Sequence, residues 1–133
     1  MNTDILLPQS YTWLVTGGAG FIGSHLVKTL LQHGQRVRVL DNFSSGFAAN
    51  LAPFQDHIDL FTADIRNAES VRQALEGVDY VLHHAALVSV AESVEKPLQT
   101  LDINVHGTAN VLQAAREAGV KRVVFASSSA VYG

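Results

Sequence analysis

The chain of 133 residues has no cysteine, which removes disulfide frameworks, thiolate metal sites and thiol redox chemistry and suits a reducing compartment. Charge is sparse at 16% and gathers into no basic cluster. Lys+Arg 9 against Asp+Glu 12 leaves a net charge of −3, so neither nucleic acid nor an anionic membrane surface is an expected partner. No segment approaches the ~18 apolar residues of a membrane span. The opening stretch MNTDILLPQSYTW has no basic region and its apolar run breaks at Pro8, so no targeting signal is read there and a cytoplasmic location is expected. What is abundant is apolar side chain, 47% of the residues, enough for one packed domain and not comfortably for two.

Residues 1–10 read as a loose leader and 11–133 as the domain. Trp13 to Thr16 is a short apolar, β-branched run halted by Gly17, the pattern of a buried strand. Phe21, Ile22, Leu26 and Leu30 follow at helical spacing up to His33 and Gly34, where glycine can take the left-handed C-terminal cap. Val37 to Leu40 reads as a second strand closing at Asp41 and Asn42, Phe43 to Asp56 mainly as loop, and Ile58 to Thr62 as a third strand. Asn67 caps a short helix over 68–75 that Gly77 closes, and 78–83 reads as strand four. Glu92, Glu95 and Lys96 read as a solvated loop. Pro97 opens a long helix, 98–118, in which Leu98, Leu101, Val105, Leu112 and Ala115 share the face expected to pack as core, and strand five follows over 122–126. Nearly continuous apolar strands alternating with helices predict an α/β fold, a doubly wound parallel sheet of five strands in the order 3-2-1-4-5, of the Rossmann type.

The sharpest chemical signal is Gly17, Gly20 and Gly23 in a G-x-x-G-x-x-G pattern between a strand and a helix. A dinucleotide's diphosphate needs a tight turn, a backbone free of Cβ atoms and helix N–H groups aimed at the anion, and glycines at these positions supply all three. Phe21 and Ile22 open that helix and join the candidate cofactor contacts, as do Asn42 and Ser45 behind strand two. Asp41 ends strand two about twenty positions after the glycines, where a carboxylate accepts the adenosine ribose hydroxyls and repels a 2′-phosphate, favouring NAD over NADP. A phosphate-gripping P-loop is excluded, because no Lys-Ser or Lys-Thr directly follows any of the glycines. A methyltransferase-like domain shares the glycine loop and the acidic residue, but Gly23 and the serine run Ser127 to Ser129 speak against it. His83 and His84 are neighbours on a strand, point to opposite faces and are read as core or cleft lining, with no metal site.

TGGAGFIGSH, LDNFSSG, ADIRN, VLHHAA, NVHGT and VVFASSSAVYG, in this order and spacing, resemble the extended short-chain dehydrogenase/reductase family, and most of all its UDP-sugar 4-epimerases, from Trp13 to Gly133. The resemblance implies NAD as cofactor, with Asp64 and Ile65 flanking the adenine and Ala85, Ala86 and Asn104 lining the nicotinamide half. It places the catalytic hydroxyl on Ser128, which bonds the sugar's 4-hydroxyl, and sugar contacts at Ser89, Val90 and Ser129. Two positions depart from the pattern: Val88, where a lysine near the nicotinamide ribose would stand, and Ile103, in place of a polar residue. A UDP-sugar substrate and a homodimer formed through the long helix are implied as partners. The family's Tyr-x-x-x-Lys pair has no match among these residues. The expectation is therefore the NAD-binding front part of a nucleotide-sugar epimerase, lacking the sixth strand and substrate domain and inactive alone. A dehydratase or decarboxylase of the same family, and a non-catalytic NAD-binding module, are the alternatives.

Overall fold

β1 (Thr12–Thr16) stops at Gly17 and β2 (Arg36–Asp41) at Asp41 and Asn42, where a glycine and an Asx pair turn the chain away from the sheet. The computed structural model describes residues 7–133, so most of the expected leader lies outside the described residues. Within them, the Ser10 hydroxyl donates to Gly34 O at 3.0 Å and the Tyr11 N–H to Gln35 Oε1 at 2.8 Å. β1 (Thr12–Thr16), β2 (Arg36–Asp41), β3 (Ile58–Thr62), β4 (Tyr80–His83) and β5 (Arg122–Phe125) form one sheet in the order β3-β2-β1-β4-β5, with every pair parallel. The register sets Thr16 opposite Leu40 on one side and His83 on the other, so the carboxyl ends of the three central strands lie together.

Alternation along the strands sends neighbouring residues to opposite layers. Leu14, Leu40 and Val81 face one core with Val71 and Leu75 of α3 and Val111 of α6. Val15, Val37 and Val39 face the other, with Val27 and Leu30 of α1 and Leu51 of α2. The helices are α1 (Phe21–Gln32), α2 (Ala48–Leu51), α3 (Ala68–Leu75), α4 (Val90–Glu95), α5 (Pro97–Leu101) and α6 (Thr108–Glu117). α3 begins where expected, because the Asn67 side chain accepts the Ser70 N–H at 3.0 Å, and ends before Gly77 at φ +72°. Among the described residues no helix is long and apolar enough to cross a membrane.

Three expectations need correction. The segment read as loop contains α2 and a 3₁₀ turn over Ala52–His57, and the segment read as a solvated loop contains α4, started by the Ser89 hydroxyl accepting the Glu92 N–H at 3.2 Å. Both helices are a turn or two long, too short for a periodic pattern to show. The long helix is a continuous run whose middle, Asp102–Gly107, widens into a π-turn. Of its expected apolar stripe Ala115 packs as core, but Leu98 is 81% exposed, and Leu101, Val105 and Leu112 are exposed as well. The buried face is Gly107, Val111, Ala114 and Ala115. Spacing defines a stripe without saying which way it faces. The small residues favour this face: a Cβ on Gly107 would sit 2.5 Å from Ile65 Cδ1, so the Ile65 side chain fills the space that the glycine leaves.

The assignment of faces predicts unequal costs. Leu75→Ala, at 0% exposure, should lower unfolding free energy by about 2–5 kcal/mol, whereas Leu98→Ala should change it by less than about 0.5 kcal/mol, both read from urea denaturation midpoints.

Candidate functional site

The site is assembled at the carboxyl ends of β1, β2 and β4. After Thr16 the chain turns through Gly17 at φ +69°, whose N–H donates to Leu40 O at 2.9 Å. α1 then starts at Phe21 behind Gly20, a residue with no side chain to cap the helix, and no acidic residue stands in the first turn. The first N–H groups of α1 and its positive dipole end are left to an external partner.

Ala19 fixes the loop from three sides. Its N–H donates to Asp41 Oδ2 at 2.9 Å, and its carbonyl accepts from Phe47 N at 3.1 Å and Asn50 Nδ2 at 2.8 Å. Asp41 is 7% exposed, and its second oxygen accepts the Phe43 N–H at 2.8 Å. Beside it, the Asn42 amide donates to Asp64 Oδ2 at 3.0 Å while its oxygen accepts the Ser44 N–H at 3.0 Å. Asp64 is held by Arg66 through Nε at 3.0 Å and a terminal guanidinium nitrogen at 2.8 Å. Those bonds, with the Arg66 and Asn42 N–H groups, overcome burial and bring its carboxyl down to about 2. Arg66 also reaches Asp102 at 3.5 Å, tying the end of β3 to the π-turn.

These elements enclose a cleft of about 550 Å³. The glycine loop and the start of α1 line one wall through Gly17, Gly20, Phe21, Ile22 and Gly23. Asp41, Asn42, Ser45, Asp64 and Ile65 line the end beyond β2 and β3, and Ala85, Ala86 and Ser89 the wall beyond β4. Four residues singled out in the sequence do not line it. Asn104 is occupied with Leu87, accepting its N–H at 2.8 Å and donating to its carbonyl at 3.0 Å, so it braces the wall from behind. Val90 begins α4 with its side chain exposed. Ser128 accepts the Ala130 N–H at 3.1 Å and starts a 3₁₀ turn over Ser129–Tyr132. Arg66 and Gln99 line the cleft without having been singled out, and so does Glu92, which was read as part of a solvated loop. Arg66 two residues after Asp64 is a legible signal for a clamp, while Glu92 and Gln99 depend on α4 and α5 being placed first.

His83 lies behind the cleft, 5% exposed, between Thr16 Oγ1 at 2.6 Å and Thr108 Oγ1 at 2.9 Å. Burial, assisted by His84, pushes its imidazole down to about 4. Burial also lowers His84, which lines the cleft. Among the described residues no group of three His, Cys, Asp or Glu could hold a metal ion.

A parallel five-stranded sheet with helices on both faces and a glycine turn at its carboxyl edge defines a Rossmann-like α/β protein. Residues 13–133 match the model of the NAD dependent epimerase/dehydratase family, and the chain belongs to that family. It is 43% identical over 122 residues to a putative UDP-glucose 4-epimerase of Methanocaldococcus jannaschii, covering 90% of this chain and 39% of the relative. It is 40% identical to a UDP-N-acetyl-alpha-D-glucosaminuronate decarboxylase of Bacillus cytotoxicus, covering 90% of this chain and 37% of that one. The crystal structure of UDP-glucose 4-epimerase from Stenotrophomonas maltophila, with bound NAD and formylated UDP-arabinopyranose, superimposes with a TM-score of 0.86 at 39% identity, over 92% of this chain and 38% of that chain. The chain thus spans less than two-fifths of the length of each of these relatives.

The depressed imidazole fixes a pH dependence. In the unfolded chain His83 takes a proton near 6.5, whereas in the folded one it stays neutral down to about 4, so stability is full above 6.5 and falls as pH drops between those values. The expected slope is about 1.4 kcal/mol per pH unit in that window, with His84 adding in the same direction, and His83→Phe should flatten it in denaturant titrations at stepped pH.

Proposed function

We propose that residues 11–133 form a domain that binds NAD in this cleft, and that the chain carries the NAD-binding portion of a nucleotide-sugar 4-epimerase. One observation carries the reading: the uncapped first turn of α1 and the Asp41 carboxylate face the same cleft, whose volume suits a ligand of this size. The residues fit the cofactor. The glycine loop leaves no Cβ between the start of α1 and a diphosphate, and the N–H groups of Phe21 and Ile22 offer donors to it. Asp41 keeps lone pairs free beyond the two backbone bonds it accepts, enough to take ribose hydroxyls, and its charge disfavours a 2′-phosphate.

Asp64 and Ile65 are assigned the adenine end, where Arg66 keeps Asp64 ionised and fixed in place, and Asn42 and Ser45 the adjoining ribose side. Ala85 and Ala86 are assigned the nicotinamide side, with Asn104 holding the segment that bears them. When bound, NAD supplies a reversible acceptor for the hydride at the sugar's C4. Ser128 would orient the sugar's 4-hydroxyl, with Ser89, Val90 and Ser129 as further sugar contacts. No residue of this chain supplies the family's Tyr-x-x-x-Lys base. The exposed stripe of Leu98, Leu101, Val105 and Leu112 supports self-association through the long helix. A decarboxylase or dehydratase reaction is the second reading, favoured by the Bacillus cytotoxicus relative.

Calorimetric titration of the chain with NAD, NADP and S-adenosylmethionine tests the assignment. NAD should bind and NADP more weakly, and Asp41→Asn should weaken NAD by about tenfold to a hundredfold, the scale of a charged hydrogen bond. S-adenosylmethionine binding in place of NAD would overturn it. With UDP-glucose and NAD supplied together, the chain alone should give no turnover above background, for want of a base worth ~10²-fold or more.

A further inference from the structure

We infer that His83 is a positioning residue for the cofactor cleft, acting through the Thr16 hydroxyl to lock the glycine loop against residues 84–87. This rests on the reading that the cleft binds NAD.

Thr16 is fully buried, and its hydroxyl oxygen accepts the Ala85 N–H at 3.1 Å and shares the His84 N–H, also at 3.1 Å, with the Thr16 carbonyl, so both acceptor positions are taken. Its own proton then has one place to go, His83 Nδ1 at 2.6 Å. That nitrogen must be bare, which puts the ring proton on Nε2, where it donates to Thr108 Oγ1 at 2.9 Å. The opposite tautomer would bring a third donor to the Thr16 oxygen and leave the hydroxyl proton buried without an acceptor, a costly arrangement. Donation therefore runs in one direction only, from the Ala85 N–H through Thr16 and His83 to Thr108, that is, from the wall beyond β4 to α6.

The joint it holds is tight. Gly17 follows Thr16 directly, and a Cβ on Gly17 would lie 2.8 Å from Ala85 N, so the glycine loop and the segment after β4 meet backbone to backbone at this point. His83 does not line the cleft, and Thr16 has no hydrogen-bonding capacity left for a ligand. Their effect on binding is to set the distance between two walls.

Two measurements decide the matter. In the ¹⁵N-labelled chain at neutral pH, long-range imidazole correlations should show His83 protonated on Nε2 and bare on Nδ1. The Nδ1-protonated tautomer or an imidazolium would overturn the inference. Thr16→Val should weaken NAD binding at least about tenfold and speed amide exchange at Ala85, and Thr16→Ser should restore both. If Thr16→Val folds and binds NAD as tightly as the parent, His83 does not position the cleft. A parent chain that binds no NAD would sink the functional reading instead, and the tautomer and exchange measurements would still decide this one.

Discussion

The backbone of α1 rests on the carbonyl of Gly17 with no side chain between them, and the placement of the cleft follows from that contact. A Cβ on Gly23 would lie 2.1 Å from Gly17 O and 2.8 Å from Gly18 Cα, so any other residue would lift the helix. Because the helix cannot be lifted, its N–H groups open just beyond the end of β1. Gly17 takes a positive φ so that its N–H can return to Leu40 O while its Cα side stays bare against Ala85. One strand end thus determines where both long walls of the crevice stand.

Asp41 shows how a group proposed to bind the ligand also serves the fold. Its two oxygens accept the Ala19 and Phe43 N–H groups, which pins the glycine loop to the end of β2 and shapes the turn that follows. Each oxygen retains a free acceptor position, so ribose hydroxyls can be taken without breaking either bond. A carboxylate in this place is organised before any ligand arrives, which spares the cost of ordering it on binding.

The strand order, the β1–loop–α1 unit and the limits of β3 and α3 were legible because each rests on local chemistry: a β-branched run, an Asn cap, a glycine at a helix end. Asp41 and the glycines were legible for the same reason. What spacing could not carry was direction. The apolar stripe through Leu98 and Leu101 was visible, yet the helix packs through Gly107 and Ala114, because small residues allow the closest approach and the π-turn shifts the phase. Asn104 shows the corresponding limit for the site. It was expected to line the cleft, but its occupation by both polar groups of Leu87 depends on where residues 84–89 run after leaving the sheet.

That last pattern has a physical cause. The segments that form the cleft walls leave their strands before the turn and so lose ladder partners, yet their buried N–H and C=O groups must still be paired. The helical run after Pro97 supplies the partners. Asn104 takes both polar groups of Leu87, Thr108 anchors His83 at the end of β4, and Asn110 donates to Ile65 O at 3.0 Å and Arg66 O at 3.1 Å. Three side chains of one helical run therefore hold the segments after both β3 and β4. The shape of the cleft is enforced from behind by a rigid element rather than by the loops themselves, and the π-turn lies in the stretch that must present Asn104 to one segment and Thr108 to another.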